Sequence, residues 1–414
     1  MLDTLLTTVG ALALVVAVFS GWIQRSPVSG PLLGLLTGIA LGPVALGVLD
    51  LPSLAESHRE LHDLSRILLA ISVMAVALRY PFHELRTVTG PVLLLLAVAM
   101  PVMALSTTAV AALALGAGLG VAALIGTALC PTDPVLASGV ASGEPAERSV
   151  SARTRRLLSL ESGANDGLAM PLVLIAVAVA GTATAGGVLL ESLWQILGAI
   201  ALGAATGLLG GSVLRRGADR DAVTPGPVLL FSLLLALFVL GAAELLRVDG
   251  ILAVFLSGIA FNATSTGEER ADDNKIDEAV NGFLVLPLFV VLGAVLPWSQ
   301  WAELGWRGPA LVLGVLLLRR LPVLLLLRRP LALKWRDACY LGWFGPIGVS
   351  AVFYLTLEAD RLDLDPVVLP AGTMVVAAST LVHALSAPPA LALYRRAAER
   401  TRERTTDTTP HKPS

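Results

Sequence analysis

Two short stretches of this chain set carboxylates and hydroxyls among helix breakers inside otherwise apolar sequence. The first is Cys130-Pro131-Thr132-Asp133-Pro134. Its two prolines remove backbone donors and break a helical path at the place where a carboxylate sits. Such a break frees carbonyl groups to coordinate a cation, and the amides that open the next half-helix can hold an anionic side chain. The second stretch is Glu161-Ser162-Gly163-Ala164-Asn165-Asp166-Gly167. On a helix Ser162 and Asp166 share one face, and Glu161 and Asn165 share another.

The chemistry these residues suit is ion exchange. Asp166 lies nine residues into an apolar run, roughly 14 Å along a helix. That is near the middle of a hydrocarbon layer of about 30 Å. Asp133 is similarly central in a neighbouring run. A carboxylate at that depth costs about 3 kcal/mol or more unless it is paired or hydrated, so it marks a functional site. A desolvated carboxyl group takes up a proton more readily than one in water. A proton and a cation then compete for one group, which is antiport in its simplest form. The oxygen ligands offered (carboxylate, hydroxyl, carbonyl) suit a hard cation.

Other polar residues carry weaker signals. Arg319 and Arg320 fall halfway along an apolar run, and on an unbroken helix consecutive side chains point about 100° apart. One is therefore expected to pair with a buried acid and the other to snorkel or lie against a neighbouring helix. Arg320, next to Leu321-Pro322, is the expected interior one. His383, a lone intramembrane histidine, fits a hydrogen-bonded packing role better than a proton relay. Cys130 and Cys339 are the only cysteines and read as small apolar residues, with no metal-site or disulfide spacing.

The elements that must position these residues are membrane helices. Of 414 residues 55% are hydrophobic and 14% charged, with a mean hydropathy of +0.79. Apolar runs long enough to cross a bilayer start near residues 3, 28, 62, 90, 118, 157, 190, 227, 249, 277, 309, 337 and 368. The runs near 118 and 249 are weaker, one being broken and the other short. Continuous Leu/Val/Ala runs without alternation select helices over a barrel. The reading is an all-α polytopic protein with about thirteen membrane helices. Residues 1–394 form the membrane domain, and 395–414 form a basic, disordered tail on the cytoplasmic side. The first run, which lacks a basic flank, is a retained helix and not a cleaved signal.

Lysine and arginine set the orientation. With thirteen alternating helices, 22 of the 29 fall on one side. Five fall on the other: Arg59, Arg66, Arg247, Arg307 and Arg361. The richer side is cytoplasmic, so the N-terminus is outside and the C-terminus inside.

The chain also echoes itself. Residues 30–42 and 250–262 share six of thirteen positions, with Thr37 against Ser257 a near match. These are the second and ninth helices, and an offset of seven reverses orientation, as in the inverted repeats of secondary transporters. At the same offset the broken fifth helix meets a twelfth, interrupted by Gly345-Pro346-Ile347-Gly348.

Taken with Pro-Thr-Asp-Pro at 131–134 and Glu-Ser-Gly-Ala-Asn-Asp-Gly at 161–167, two further motifs complete a pattern. They are Gly-Trp-Phe-Gly-Pro at 342–346 and His-Ala-Leu-Ser-Ala-Pro at 383–388. Over about residues 5–393 the sequence resembles the monovalent cation:proton antiporter family, in particular prokaryotic NhaP-type sodium/proton antiporters. The resemblance implies a thirteen-helix inverted-repeat fold with two crossed discontinuous helices. It also implies a core moving against dimerisation helices, and a homodimer in the inner (cytoplasmic) membrane serving pH homeostasis. It makes Asp166 the cation- and proton-binding aspartate, completed by Thr132, Asp133 and Ser162, with Na⁺ held among them. Asn165 holds the Asn-Asp position associated with electroneutral exchange, and Glu161 is the acid that pairs with an arginine. Many relatives place that arginine where Ile347 stands here, which makes Arg320 the candidate substitute. The acid that some relatives carry in the third helix is absent.

The function expected is exchange of Na⁺, or of Li⁺ or K⁺, for H⁺ by alternating access, with no cofactor and membrane lipid as surroundings. No nucleotide-binding fingerprint or nucleic-acid surface is present. A channel or a solute symporter would need a carbonyl filter or a roomy substrate cavity, and neither has a sign in the sequence. A membrane enzyme would need a metal cluster or a nucleophile motif, which the chain lacks.

Overall fold

The structure, a computed structural model, describes residues 2–23, 26, 28–141, 144–181, 185–218, 220, 225–264 and 283–406. Among these residues the regular structure is helical. The principal helices are α1 (Leu2–Val18), α2 (Gly30–Leu41), α3 (His58–Leu78) and α4 (Thr89–Leu115). They continue with α5 (Leu119–Ala128), α6 (Pro134–Ala141), α7 (Ala152–Leu168) and α8 (Met170–Ala180). Next come α9 (Ala185–Ala218), α10 (Pro225–Leu246), α11 (Gly250–Asn262) and α12 (Leu286–Ala294). The last are α13 (Arg307–Leu318), α14 (Leu321–Leu326), α15 (Trp335–Trp343), α16 (Val349–Arg361) and α17 (Val368–Thr406).

Every one of the thirteen apolar runs contains helix. Six helical stretches are long and apolar enough to cross a membrane, among them Ala152–Ala180, where α7 and α8 join end to end. Others are shorter, including the half-helices of the two broken spans. The run beginning near 277 is helical from Leu286, and its first residues lie outside the described ones. The basic segment after residue 394 differs from expectation: α17 carries on as helix through Thr406. Residues 407–414 of the expected tail lie outside the described residues. Large apolar side chains face outward along α9 and α10, for example Leu190, Leu197, Leu209 and Phe238. That is the surface a lipid solvent requires.

Packing follows the repeat that the sequence echo suggests. Helix α2 packs on α12, and its counterpart α11 packs on α3. Both contacts rest on small residues, because helices in lipid associate by close backbone approach. A Cβ added at Gly293 would lie 3.0 Å from the backbone nitrogen of Ile39. Helix α9 lies along α11 in the same way: a Cβ at Gly207 would fall 2.7 Å from the Cβ of Ala260. Side-chain amides close the helix ends. Asn262, at the end of α11, donates to the carbonyls of Ala77, in the last turn of α3, and Tyr80, just beyond it, at 2.8 Å each.

Two interrupted spans, α5–α6 and α15–α16, meet at their breaks. The Asp133 amide donates to the Pro346 carbonyl at 2.9 Å. Helices α5 and α16 pack together on one side of this crossing. On the other side Tyr340 of α15 donates to the Val140 carbonyl of α6 at 2.8 Å.

Candidate functional site: a polar crossing in mid-membrane

At the crossing four half-helix ends converge, and each end leaves backbone groups without an intrahelical partner. Asp133 serves the two N-terminal ends. Its Oδ1 accepts from the amides of Val135 at 2.7 Å and Leu136 at 3.0 Å, which open α6. Its Oδ2 accepts from the amide of Val349, the first residue of α16. Gly348 has no side chain for a steric reason: a Cβ there would lie 3.0 Å from Asp133 Cγ and overlap its carboxylate oxygen.

Arg319 serves the two C-terminal ends. One guanidinium nitrogen donates to the carbonyls of Leu129, Cys130 and Pro131 at 3.1, 2.8 and 2.9 Å, and the other donates to Gly345. An anion at two positive helix ends and a cation at two negative ones is the arrangement that the peptide dipoles favour.

Of the two fates expected for the second arginine, to snorkel or to lie against a neighbouring helix, Arg319 takes the second. Both are buried. The helix is interrupted between Leu318 and Leu321, where Pro322 removes a backbone donor. Consecutive side chains there escape the 100° rule and enter the same polar interior. Arg320 forms a two-pronged ion pair with Glu161, both contacts at 2.7 Å, and its Nε donates to the Leu341 carbonyl at 2.7 Å. Ile347 is buried, with its amide donating to the Ser379 hydroxyl at 2.8 Å. Arg320 thus reaches Glu161 from a different helix.

The remaining candidates form one network on the inner face of α7. Asn165 donates to Thr132 Oγ1 at 2.7 Å and to Glu161 Oε1 at 3.1 Å, and it accepts from the Thr132 amide at 3.3 Å. Thr132 and Ser162 share a hydroxyl contact of 3.1 Å. Asn165 therefore ties the first break to the Glu161–Arg320 pair.

Asp166 stands apart within this group. It is fully buried, and neither carboxylate oxygen has a hydrogen-bond partner among the described residues. The charges facing it belong to Asp133 and Glu161, and the buried Ser350 hydroxyl of α16 faces it too. Its backbone is fixed, because Tyr354 of α16 donates to the Asp166 carbonyl. Asp166 is thus a buried carboxylate beside a hydroxyl, with no hydrogen bond from a described residue holding its oxygens.

His383 has both ring nitrogens occupied, Nδ1 by Ser379 and Nε2 by the Trp343 carbonyl at 3.0 Å. This is the packing role expected. The structure also contains an acid the sequence reading passed over. Glu358 of α16 is buried, with both oxygens unpartnered among the described residues.

Two discontinuous helices that cross beside a buried, unbonded carboxylate define a secondary-transporter architecture. The profile of the family described as "Sodium/hydrogen exchanger, transmembrane" matches residues 11–393, and the chain belongs to that family. It is 31% identical over 340 residues to "Na(+)/H(+) antiporter 2" of Zygosaccharomyces rouxii, covering 79% of this chain and 42% of that protein. It is 30% identical over 356 residues to the "Na(+)/H(+) antiporter" of Saccharomyces cerevisiae, covering 83% of this chain and 36% of that one. The chain thus spans about two fifths of the length of these curated relatives. Its fold matches a structure of the sodium proton antiporter MjNhaP1 from Methanocaldococcus jannaschii at pH 8. The TM-score is 0.75 at 18% identity, over 95% of this chain and 98% of that one.

Proposed function

We propose that this chain exchanges a monovalent cation, Na⁺ in the first instance, for H⁺ at Asp166 by alternating access. One observation carries the reading: Asp166 is the carboxylate at the crossing whose oxygens no described residue engages. The other charges are matched. Glu161 is neutralised by Arg320, and Asp133 and Arg319 sit at oppositely polarised helix ends. One negative charge is left over, and either one proton or one monovalent cation cancels it. Asn165, a neutral amide, adds no second charge. This local balance supports electroneutral one-for-one exchange, since the loaded site is neutral in both forms.

The roles within the site are unequal. Asp166 carries the ion. Ser162 and Thr132 offer hydroxyl oxygens, and Asn165 holds Thr132 in place. Asp133 is an electrostatic support: three amide donors occupy most of its acceptor capacity. Support for the Na⁺ assignment comes from the names of the yeast relatives. The 22-to-5 distribution of basic residues supports a cytoplasmic C-terminus in the inner membrane. The resemblance to NhaP-type antiporters supports a homodimer, with a core that moves against dimerisation helices.

The test is cation-driven proton flux in proteoliposomes containing the full chain, scanned over Na⁺, Li⁺ and K⁺. Asp166→Asn abolishes the flux. Clamping the membrane potential at zero leaves wild-type exchange running. Robust flux in the Asp166→Asn protein would overturn the assignment.

A further inference from the structure

Helix α16 carries a polar line away from the crossing. Ser350, Tyr354 and Glu358 are spaced four apart and so lie on one helix face. Ser350 faces the Asp166 carboxylate, and Tyr354 donates to the Asp166 carbonyl. Glu358 follows two turns beyond Ser350, about 12 Å along the axis. It is 0% exposed, and neither oxygen is engaged by a described residue. A buried acid with no counter-charge costs several kcal/mol when ionised and serves no packing purpose that a leucine would not serve better.

Its surroundings narrow what it can do. The Thr127 hydroxyl of α5 faces it. That hydroxyl already donates its single hydrogen to α5 carbonyls, to Ala123 at 2.9 Å and Leu124 at 3.3 Å. Its oxygen lone pairs remain open to Glu358. A protonated Glu358 carboxyl can donate to that oxygen, and a cation can lie between the two oxygens once the proton has left. No fixed positive charge substitutes. On α3, His58 and Arg59 engage Asp360 at 3.1 and 3.6 Å, and His62 stacks on Phe353 and contacts Thr356. Arg66 pairs with Glu244, and Asp63 is exposed. Helices α5 and α8 bring no charged residue, and His383 of α17 is held by Ser379 and Trp343. On α16 itself Arg361 pairs with Glu191.

We infer that Glu358 and Thr127 form a second proton- and cation-exchanging site on the α5–α16 side of the crossing, through which the transported ion passes between Asp166 and that membrane face. The inference rests on the exchange reading above and names a relay within it. In the exchange the carboxyl releases its proton as the cation takes up its oxygens, and the reverse occurs on return, so charge balances at each step.

The experiment uses the full chain in proteoliposomes, with Na⁺ presented in turn from each face. Glu358→Gln keeps the shape and a hydrogen for Thr127 but cannot exchange a proton. It is expected to raise the half-saturating Na⁺ concentration about tenfold from the α5–α16 face, the loss of one charge-assisted contact. The change from the opposite face is less than twofold. The pH profile of flux from the α5–α16 face shifts with it, and Glu358→Asp recovers most of the affinity. Thr127→Val gives a smaller shift of the same sidedness. Should Glu358→Gln give no active protein, the sidedness of Thr127→Val decides. Unchanged Na⁺ and pH dependence in Glu358→Gln, or equal shifts from both faces, would show a permanently neutral structural acid and overturn the relay. Flux that survives Asp166→Asn overturns the exchange reading instead, so the two failures are separable.

Discussion

Removing the Arg320 side chain isolates the energetics of the crossing. Both Arg320 and Glu161 are almost wholly buried, and their two contacts are 2.7 Å. Arg320→Met leaves the Glu161 carboxylate in a medium that cannot solvate it, with only the Asn165 amide as partner. Breaking one side of a buried pair costs about 3–5 kcal/mol, chiefly from the orphaned charge. The Leu341 carbonyl also loses its donor, but that contribution, about 1 kcal/mol, is smaller. An unfolding entropy of roughly 2.1 cal/mol/K per residue makes about 0.9 kcal/mol/K for a chain of this length, so the charge effect alone lowers the apparent Tm by about 3–6 °C. Thermal unfolding of the detergent-solubilised protein can be followed by a thiol-reactive dye on buried Cys130. The decisive comparison is the double variant Arg320→Met/Glu161→Gln. It has no orphaned charge and keeps an acceptor for Asn165, so it recovers at least half of the loss. An Arg320→Met protein within 1 °C of wild type would refute the reasoning. So would a double variant no more stable than the single one, since the cost would then not be electrostatic.

Other outcomes follow from the same geometry. Gly348→Ala drives a methyl group into the Asp133 carboxylate and cuts Na⁺-driven proton flux more than tenfold in proteoliposomes, with expression retained. Asp133→Ala strips the acceptor from three amides at two helix starts and lowers stability by about 2–3 kcal/mol, summing two lost N-caps. Asp133→Asn keeps one acceptor oxygen and loses about half as much, which thermal unfolding of the pair would show.

The parts of the site that were legible in the sequence are those written by local chemistry. Pro131 and Pro134 flank Thr132-Asp133, and Pro346 lies between Gly345 and Gly348, so the two interruptions are legible as clusters of helix breakers. The position of Asp166 within an apolar run gives its depth, and Pro322 beside Arg320 hints at an irregular backbone. What stayed hidden depends on contacts between distant segments. Three of the four carbonyls that hold Arg319 come from residues about 190 positions earlier, and no periodicity announces them. That both arginines enter one interior was hidden because a 100° separation assumes a regular helix across Arg319-Arg320, and the helix is interrupted there. Glu358 was passed over because Asp360 and Arg361 follow it, which makes it resemble the charged fringe of a span. A signal did exist: it lies four and eight residues after Tyr354 and Ser350, on the face of α16 that the Gly345–Gly348 break turns toward Asp166.

The amide of Val349 and the carboxylate it meets are 216 residues apart. During synthesis Asp133 enters the bilayer long before its second helix start exists, and Arg319 arrives long after the carbonyls of Leu129, Cys130 and Pro131. The first half of the chain therefore waits in lipid with a half-capped carboxylate and unpaired carbonyls. The crossing closes only when α16 is threaded beside it. A contact of such long range forms late, and until it forms the N-terminal half is the natural client of whatever assists insertion. Removal of Asp133 should accordingly lower the yield of correctly inserted chain as well as the stability of the completed fold.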